Sequence, residues 1–229
     1  MPDEARGVFA SDRMPLAEAY AAWLADAGTV RGLLGPREVP RLWDRHLLNC
    51  AVLADVIPAG ARVCDLGSGA GLPGLVLAIA RPDLSVTVVE PLLRRSTFLE
   101  EVVTDLGLDV TVVRARANDL QGRERFDVVT SRAVAALDRL LEWSMPLVSA
   151  PDGALVAMKG AAAEEEIATA RPVLDRLGCA TPEVLTLGEG RVPSPTRAVR
   201  VAWAPGRGVG WPLAPGSSRG RSHRSPRRG

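Results

Sequence analysis

Lysine is almost missing from this 229-residue chain: of 28 basic residues only Lys159 is a lysine, and the rest are arginine. Together with abundant alanine, 22 glycines and 18 prolines, that bias reads as a compositional habit rather than a functional signal. Cysteine is scarce. Cys50, Cys64 and Cys179 are odd in number and widely spaced, which excludes a disulfide framework and a zinc site built from close CxxC pairs. All three read as buried small hydrophobes or free thiols. Five Trp, three Phe and one Tyr mark out no platform for stacking bases. The chain has no stretch of about 18 apolar residues that could cross a membrane. Its opening, MPDEARGVFASDR, has acids where a secretory leader needs a basic start and an apolar run. A cytoplasmic protein without a membrane anchor is expected, and a monomer.

What is present suits a globular chain. With 47% hydrophobic and 24% charged residues and a net charge of +1, the length allows one sizeable core and a small extension. Disorder throughout, collagen-like repeats and coiled coils are excluded. The charge is uneven, however. Residues 205–229 carry Arg207, Arg219, Arg221, Arg224, Arg227 and Arg228 and no acid, so this tail is +6 and the body −5. Its Pro/Gly/Ser/Arg mixture buries too little apolar surface to offset chain entropy, and disorder is expected. Such a tail is either a basic arm for nucleic-acid phosphates or a dispensable solubilising end.

Ahead of the tail the hydrophobic pattern changes near residue 60. Residues 16–34 and 39–57 show apolar spacing near 3.6, separated by the breaker GPRE, and predict a helical lead-in over 1–60. From residue 61 to 204, short β-branched runs alternate with helical stretches. Strands are predicted at 61–66, 84–90, 109–115, 125–131, 153–159, 182–187 and 198–203, with helices over 72–80, 92–106, 133–147 and 163–177. This alternation predicts an α/β fold: a doubly wound, mostly parallel sheet, with an antiparallel hairpin from the last two strands at one edge.

The sharpest motif is DLGSGAGLPG at residues 65–74, between the first strand and the first sheet helix. Glycines there let the backbone turn tightly and approach a ligand, while the helix start behind them offers unpaired N–H groups. Two cofactors fit the spacing. Gly69, Gly71 and Gly74 satisfy GxGxxG, the dinucleotide fingerprint of an NAD(P)-dependent oxidoreductase. Asp65, Gly67, Gly69 and Gly71 satisfy DxGxGxG, an S-adenosylmethionine loop. The acid at the strand end, the helical lead-in and the lack of any segment resembling a hydride-acceptor site favour S-adenosyl-L-methionine. Asp65 could then meet the donor's ammonium group or hold a water there. Glu90, ending the second strand, is placed to accept from both ribose hydroxyls of either cofactor. Asn118, after the third strand, is placed to read an adenine edge.

The methyl acceptor is narrowed by what is missing. After the fourth strand stands TSRA, residues 130–133, not the Asn/Asp-Pro-Pro-aromatic loop usual for exocyclic amines. Cys64 lies in a strand and Cys50 in a helix, so neither suits nucleophilic attack on a pyrimidine. One lysine is too few for the two often placed around a ribose oxygen. An acceptor that is already nucleophilic remains, such as guanine N7, whose in-plane lone pair needs no base. Alignment of donor and acceptor then lowers the barrier, with no catalytic dyad.

These residues carry a resemblance. DRHLLNC at 44–50, DLGSGAGLPGLVLAIARP at 65–82, FDVVTSRAVAALDRLLEW at 126–143 and GALVAMKG at 153–160 resemble the RsmG (glucose-inhibited division protein B) family. The resemblance implies a Rossmann-like class I S-adenosylmethionine-dependent methyltransferase acting on guanine N7 of 16S ribosomal RNA, naked or in a small-subunit particle. It implies cofactor contacts at Gly67, Leu72, Ala117, Asn118 and Arg132. Asn49 and Asn118 stand where members often have acids, so the adenine contact would rest on backbone. Arg132 and Lys159, both at the ligand edge, are substrate-side candidates. His46 is either a half-buried helix residue or a contact to RNA or cofactor. A non-catalytic RNA-binding protein on the same fold is the remaining alternative, resting on the basic tail.

Overall fold

The computed structural model describes residues 1–208, and residues 209–229, most of the basic tail, lie outside the described residues. Seven strands form one sheet: β1 (Arg62–Leu66), β2 (Ser85–Val89), β3 (Val110–Val113), β4 (Val128–Arg132), β5 (Ala154–Lys159), β6 (Glu183–Leu187) and β7 (Thr196–Ala202). Their spatial order is β3-β2-β1-β4-β5-β7-β6. The first five run parallel because helical crossovers return the chain to the same end each time. The expected hairpin is present, but β7 takes the inner place, antiparallel to both β5 and β6, leaving β6 at the edge. Burial explains the order: Ala198, Val199 and Val201 of β7 are fully buried, whereas β6 is mostly half-exposed.

Register aligns the carboxyl ends of the central strands. Asp65 lies opposite Val88 on one side and Thr130 on the other, and Arg132 lies opposite Met158. Helices cover both faces: α3 (Gly74–Ala80), α4 (Leu93–Asp105), α5 (Ala117–Leu120), α6 (Leu137–Ser144) and α7 (Ala163–Leu177). In α3 every residue from Gly74 to Ile79 is buried, because the lead-in packs over the side turned away from the sheet. Glu164, Glu165 and Glu166 open α7, where they complement the helix dipole. Gly178, at φ 76°, closes it in the left-handed conformation that favours glycine.

The lead-in is less regular than its periodicity predicts. One α-helix, α1 (Met14–Trp23), passes into a π turn at Leu24–Gly28. The second predicted helix is a chain of short turns: 3₁₀ at Pro36–Arg41, π at Leu42–Leu47, α2 (Leu48–Ala51), and 3₁₀ at Val52–Val56. Pro40 supplies no N–H and disrupts the i to i−4 ladder at its start. Even so, its apolar residues are buried, since these turns keep Leu42, Leu47, Leu48, Val52 and Leu53 on one side. They join Leu75, Ile79, Val88 and Phe98 in one hydrophobic cluster, so lead-in and sheet share a core.

Candidate active site

A cleft of about 830 Å³ opens at the carboxyl ends of β1, β2 and β4. Its floor is the glycine loop, Gly67 to Ala70 with Leu72. One wall holds Glu90, Leu92 and Arg95, and the other Ala115, Ala117 and Asn118. Arg132, the last residue of β4, lies along the rim with Ala133 and Val134, and the lead-in contributes Leu33, Leu34, Gly35 and His46.

The loop is held from below. Asp65 is fully buried, and its Oδ2 accepts from Gly74 N at 2.9 Å and from the Ser68 hydroxyl. Its Oδ1 is buried with no hydrogen-bond partner. Burial pushes the Asp65 carboxyl up to about 6, against the lowering effect of Ser68, the Gly74 N–H and the Arg132 charge. This placement differs from the expected cofactor contact. Asp65 ties the loop to the start of α3 and is absent from the cleft lining, because a carboxylate at that strand position meets the helix's own unpaired N–H first. Gly71 is likewise off the lining. At φ 98°, a Cβ there would lie 2.6 Å from Leu75 and 2.8 Å from the Tyr20 hydroxyl. Tyr20, from α1, is fully buried and donates to Ala70 O at 2.7 Å, so the lead-in fixes the loop's height.

Glu90 is almost completely buried. Its Oε2 accepts from Gly69 N at 3.0 Å and its Oε1 from Leu92 N at 3.0 Å, with Arg95 at 3.8 Å. Ala117 and Asn118 begin α5, a short helix that the sequence pattern did not announce. Its start is fastened by Asp119, whose carboxylate accepts from Arg116 N at 2.9 Å.

Arg132 is half-buried and held by the lead-in. Its guanidinium donates to Arg45 O and to Cys50 Sγ, each at 3.4 Å, and to Nδ1 of His46. His46, only 7% exposed, reaches Glu38 through Nε2 at 2.9 Å. Burial and the Arg132 charge lower its pKa, against the raising effect of Glu38. Lys159 serves elsewhere. Its ammonium donates to Ala135 O at 2.8 Å and Glu166 at 2.7 Å, while the same Glu166 oxygen accepts from Leu137 N at 2.9 Å. Instead of facing substrate, it fastens residues 133–137 to α7. Residues 133–135 form a run of bends where a helix was expected, with Ala133 at φ 55° and Val134 packed against Gly67.

Of the residues singled out in the sequence, the cleft therefore gathers Gly67, Gly69, Leu72, Glu90, Ala117, Asn118, Arg132 and His46, and leaves out Asp65, Gly71 and Lys159. Sequence reasoning missed Tyr20, Glu38, residues 33–35 and Trp143. The one signal for Tyr20 is that it is the chain's single tyrosine, on the apolar side of α1. Among the described residues no group of three or more His, Cys, Asp or Glu could hold a metal, and no helix is long and apolar enough to cross a membrane.

A sheet in the order 3-2-1-4-5-7-6, with a glycine loop after its first strand and an acid ending its second, defines a class I S-adenosylmethionine-dependent methyltransferase. Solved structures share the fold. A SAM-dependent O-methyltransferase from Thermotoga maritima superposes with a TM-score of 0.54 at 15% identity, covering 73% of this chain and 70% of its own. For the tRNA methyltransferase TrmK of B. subtilis the TM-score is 0.52 at 15% identity, with coverage of 70% and 66%. Within that class the chain belongs to the GidB family, rRNA small subunit methyltransferase G, whose model matches residues 13–191. A ribosomal RNA small subunit methyltransferase G from a Nocardioides species is 67% identical over 226 residues, covering 98% of this chain and 90% of that protein. The protein of the same name from Streptomyces avermitilis is 56% identical over 202 residues, covering 87% and 84%. The dinucleotide alternative falls with this membership, and the methyl donor is S-adenosyl-L-methionine.

Proposed function

We propose that this chain transfers a methyl group from S-adenosyl-L-methionine to N7 of a guanine in 16S ribosomal RNA, acting as a monomer. Family membership supports the RNA substrate. The observation that carries the ring nitrogen is that no described group lining the cleft stands ready to remove a proton. Glu90 is tied to Gly69 N and Leu92 N, and the His46 nitrogens face Arg132 and Glu38. A nucleophile that keeps its own lone pair is the acceptor such a lining serves.

The residues present fit the donor. The cleft has the volume of a small-molecule site, a loop lacking side chains at Gly67 and Gly69, and a buried acid at the ribose position. Gly67, Gly69, Leu72, Glu90, Ala117, Asn118 and Arg132 would hold it. When bound, it supplies an electrophilic methyl carbon on a sulfonium centre. The chain's own part is positional: Leu72 and Val134 shed water, Glu90 keeps Gly69 N in register, and Arg132 presents positive charge beside the incoming RNA. Because one chain supplies every wall of the cleft, a second copy is not required.

The test supplies labelled donor to the protein with unmodified small-subunit RNA in one arm and unmodified particles in the other, followed by nuclease digestion. Label in 7-methylguanosine from either arm is the expected result. Label in another nucleoside, or in none, overturns the proposal.

A further inference from the structure

Arg132 lines the cleft and also hydrogen-bonds to the lead-in, and its hold there depends on a histidine. A guanidinium can only donate hydrogen bonds. Nδ1 of His46 therefore accepts, which leaves the proton of the neutral ring on Nε2, facing Glu38 Oε2 at 2.9 Å. Three side chains from three segments thus form one line: a carboxylate on the 3₁₀ turn Pro36–Arg41, an imidazole on the π turn Leu42–Leu47, and a guanidinium at the end of β4. We propose that Glu38 and His46 are positioning residues that hold the Arg132 guanidinium at the cleft, and that they do so only while His46 is neutral.

The proposal rests on the methyl-transfer reading for its kinetic consequence, though not for its chemistry. A proton on Nδ1 would remove the acceptor and set an imidazolium against a guanidinium, two like charges in a part-buried site. Other groups face the line from every side. Arg41 and Arg45 lie beside Glu38, and Arg45 also acts on the imidazole. The Cys50 thiol, pushed up to about 11 by burial, lies behind the guanidinium and is neutral across the working range. Asp65 faces Arg132 across the loop floor, and Tyr20 lies near Cys50, Asp65 and Arg132. Burial and the flanking cations oppose a charge on His46, and Glu38 is the group that favours one. The fold thereby keeps the ring in its accepting form below the ordinary histidine range.

The Asp65 carboxyl, pushed up to about 6 by burial, is a second group that titrates below the ordinary histidine value, so an acid limb in a rate profile does not by itself identify His46. Glu38 distinguishes them, because it touches the imidazole and does not act on Asp65. Glu38→Gln keeps an acceptor for Nε2–H and removes the charge that raises the His46 pKa. Two measurements on the full chain follow. The first is imidazole nitrogen NMR, with His46 assigned by its absence in His46→Gln and thereby separated from His223. The expected spectrum shows the Nε2–H tautomer, a midpoint lower in Glu38→Gln by about half a pH unit or more, and a higher one in Arg132→Met. The second is kcat against pH, where Glu38→Gln should move the acid limb downward while donor affinity from calorimetry stays within about twofold. An Nδ1–H tautomer, or midpoints that ignore both substitutions, overturns the relay whether or not RNA is methylated. An acid limb unmoved in Glu38→Gln overturns its kinetic role. If the unsubstituted protein transfers no methyl group, the methyl-transfer reading fails and the NMR measurement alone decides the relay.

Discussion

Asp65 shows how one side chain can be placed by its neighbours rather than by its ligand. Its carboxylate lies beneath the glycine loop, where Ser68 and the Gly74 N–H stabilise its charge and burial opposes it, and burial prevails. Because the folded value near 6 exceeds the 3.8 of a free aspartate, the group's contribution to stability is full below about pH 4. It is lost as the pH rises through about 6. Asp65→Asn keeps an acceptor for Gly74 N but cannot ionise. Urea unfolding of both proteins between pH 4 and 7.5 should show the wild type losing on the order of 2 kcal/mol relative to the variant as the pH rises. Parallel stability curves would mean that Asp65 ionises freely in the folded chain.

At the scale of elements, the segment between β4 and α6 is the part most dependent on distant support. It carries Ala133 in the left-handed region, uncommon for a residue with a Cβ, and lays Val134 against Gly67. Lys159 and Glu166 hold it through Ala135 O and Leu137 N. Lys159→Met should free Ala135 O and leave Glu166 without its cation, costing about 2 kcal/mol in denaturant unfolding. Donor affinity by calorimetry should weaken several-fold, although Lys159 does not touch the cleft. An affinity equal to wild type would separate this segment from donor binding.

Across the whole molecule, the lead-in and sheet are bound into one body. Arg13 donates to Ile79 O at 2.9 Å, Trp23 meets Phe98 edge to face at 5.9 Å, and Tyr20 supports the glycine loop. Tyr20→Phe leaves Ala70 O without its donor and should cost about 1–2 kcal/mol of stability, together with a loss of donor affinity, by denaturant unfolding and calorimetry. A fragment of residues 58–208 would expose the lead-in side of α3 and α4 to water. It should lack the dispersed NMR spectrum and cooperative melting of the full chain. A fragment that melts cooperatively would show that the sheet folds without its cover.

The sequence by itself determined the alternation of strands and helices, the glycine loop and the acid at the end of β2. These depend on local periodicity and backbone freedom, which neighbouring residues encode. It also carried the family through DRHLLNC, the GLPG extension and the SRA segment. Only the tertiary structure decided which polar groups reach the cleft. Asp65 and Lys159 read as site residues along the chain, yet each finds a nearer partner in space. Glu38 and Tyr20 carried no motif at all, because their partners His46, Ala70 and, through His46, Arg132 come from other segments. A carboxylate or an ammonium is committed by whatever donor or acceptor lies within about 3 Å of it, and that distance is set by packing, which linear spacing does not contain.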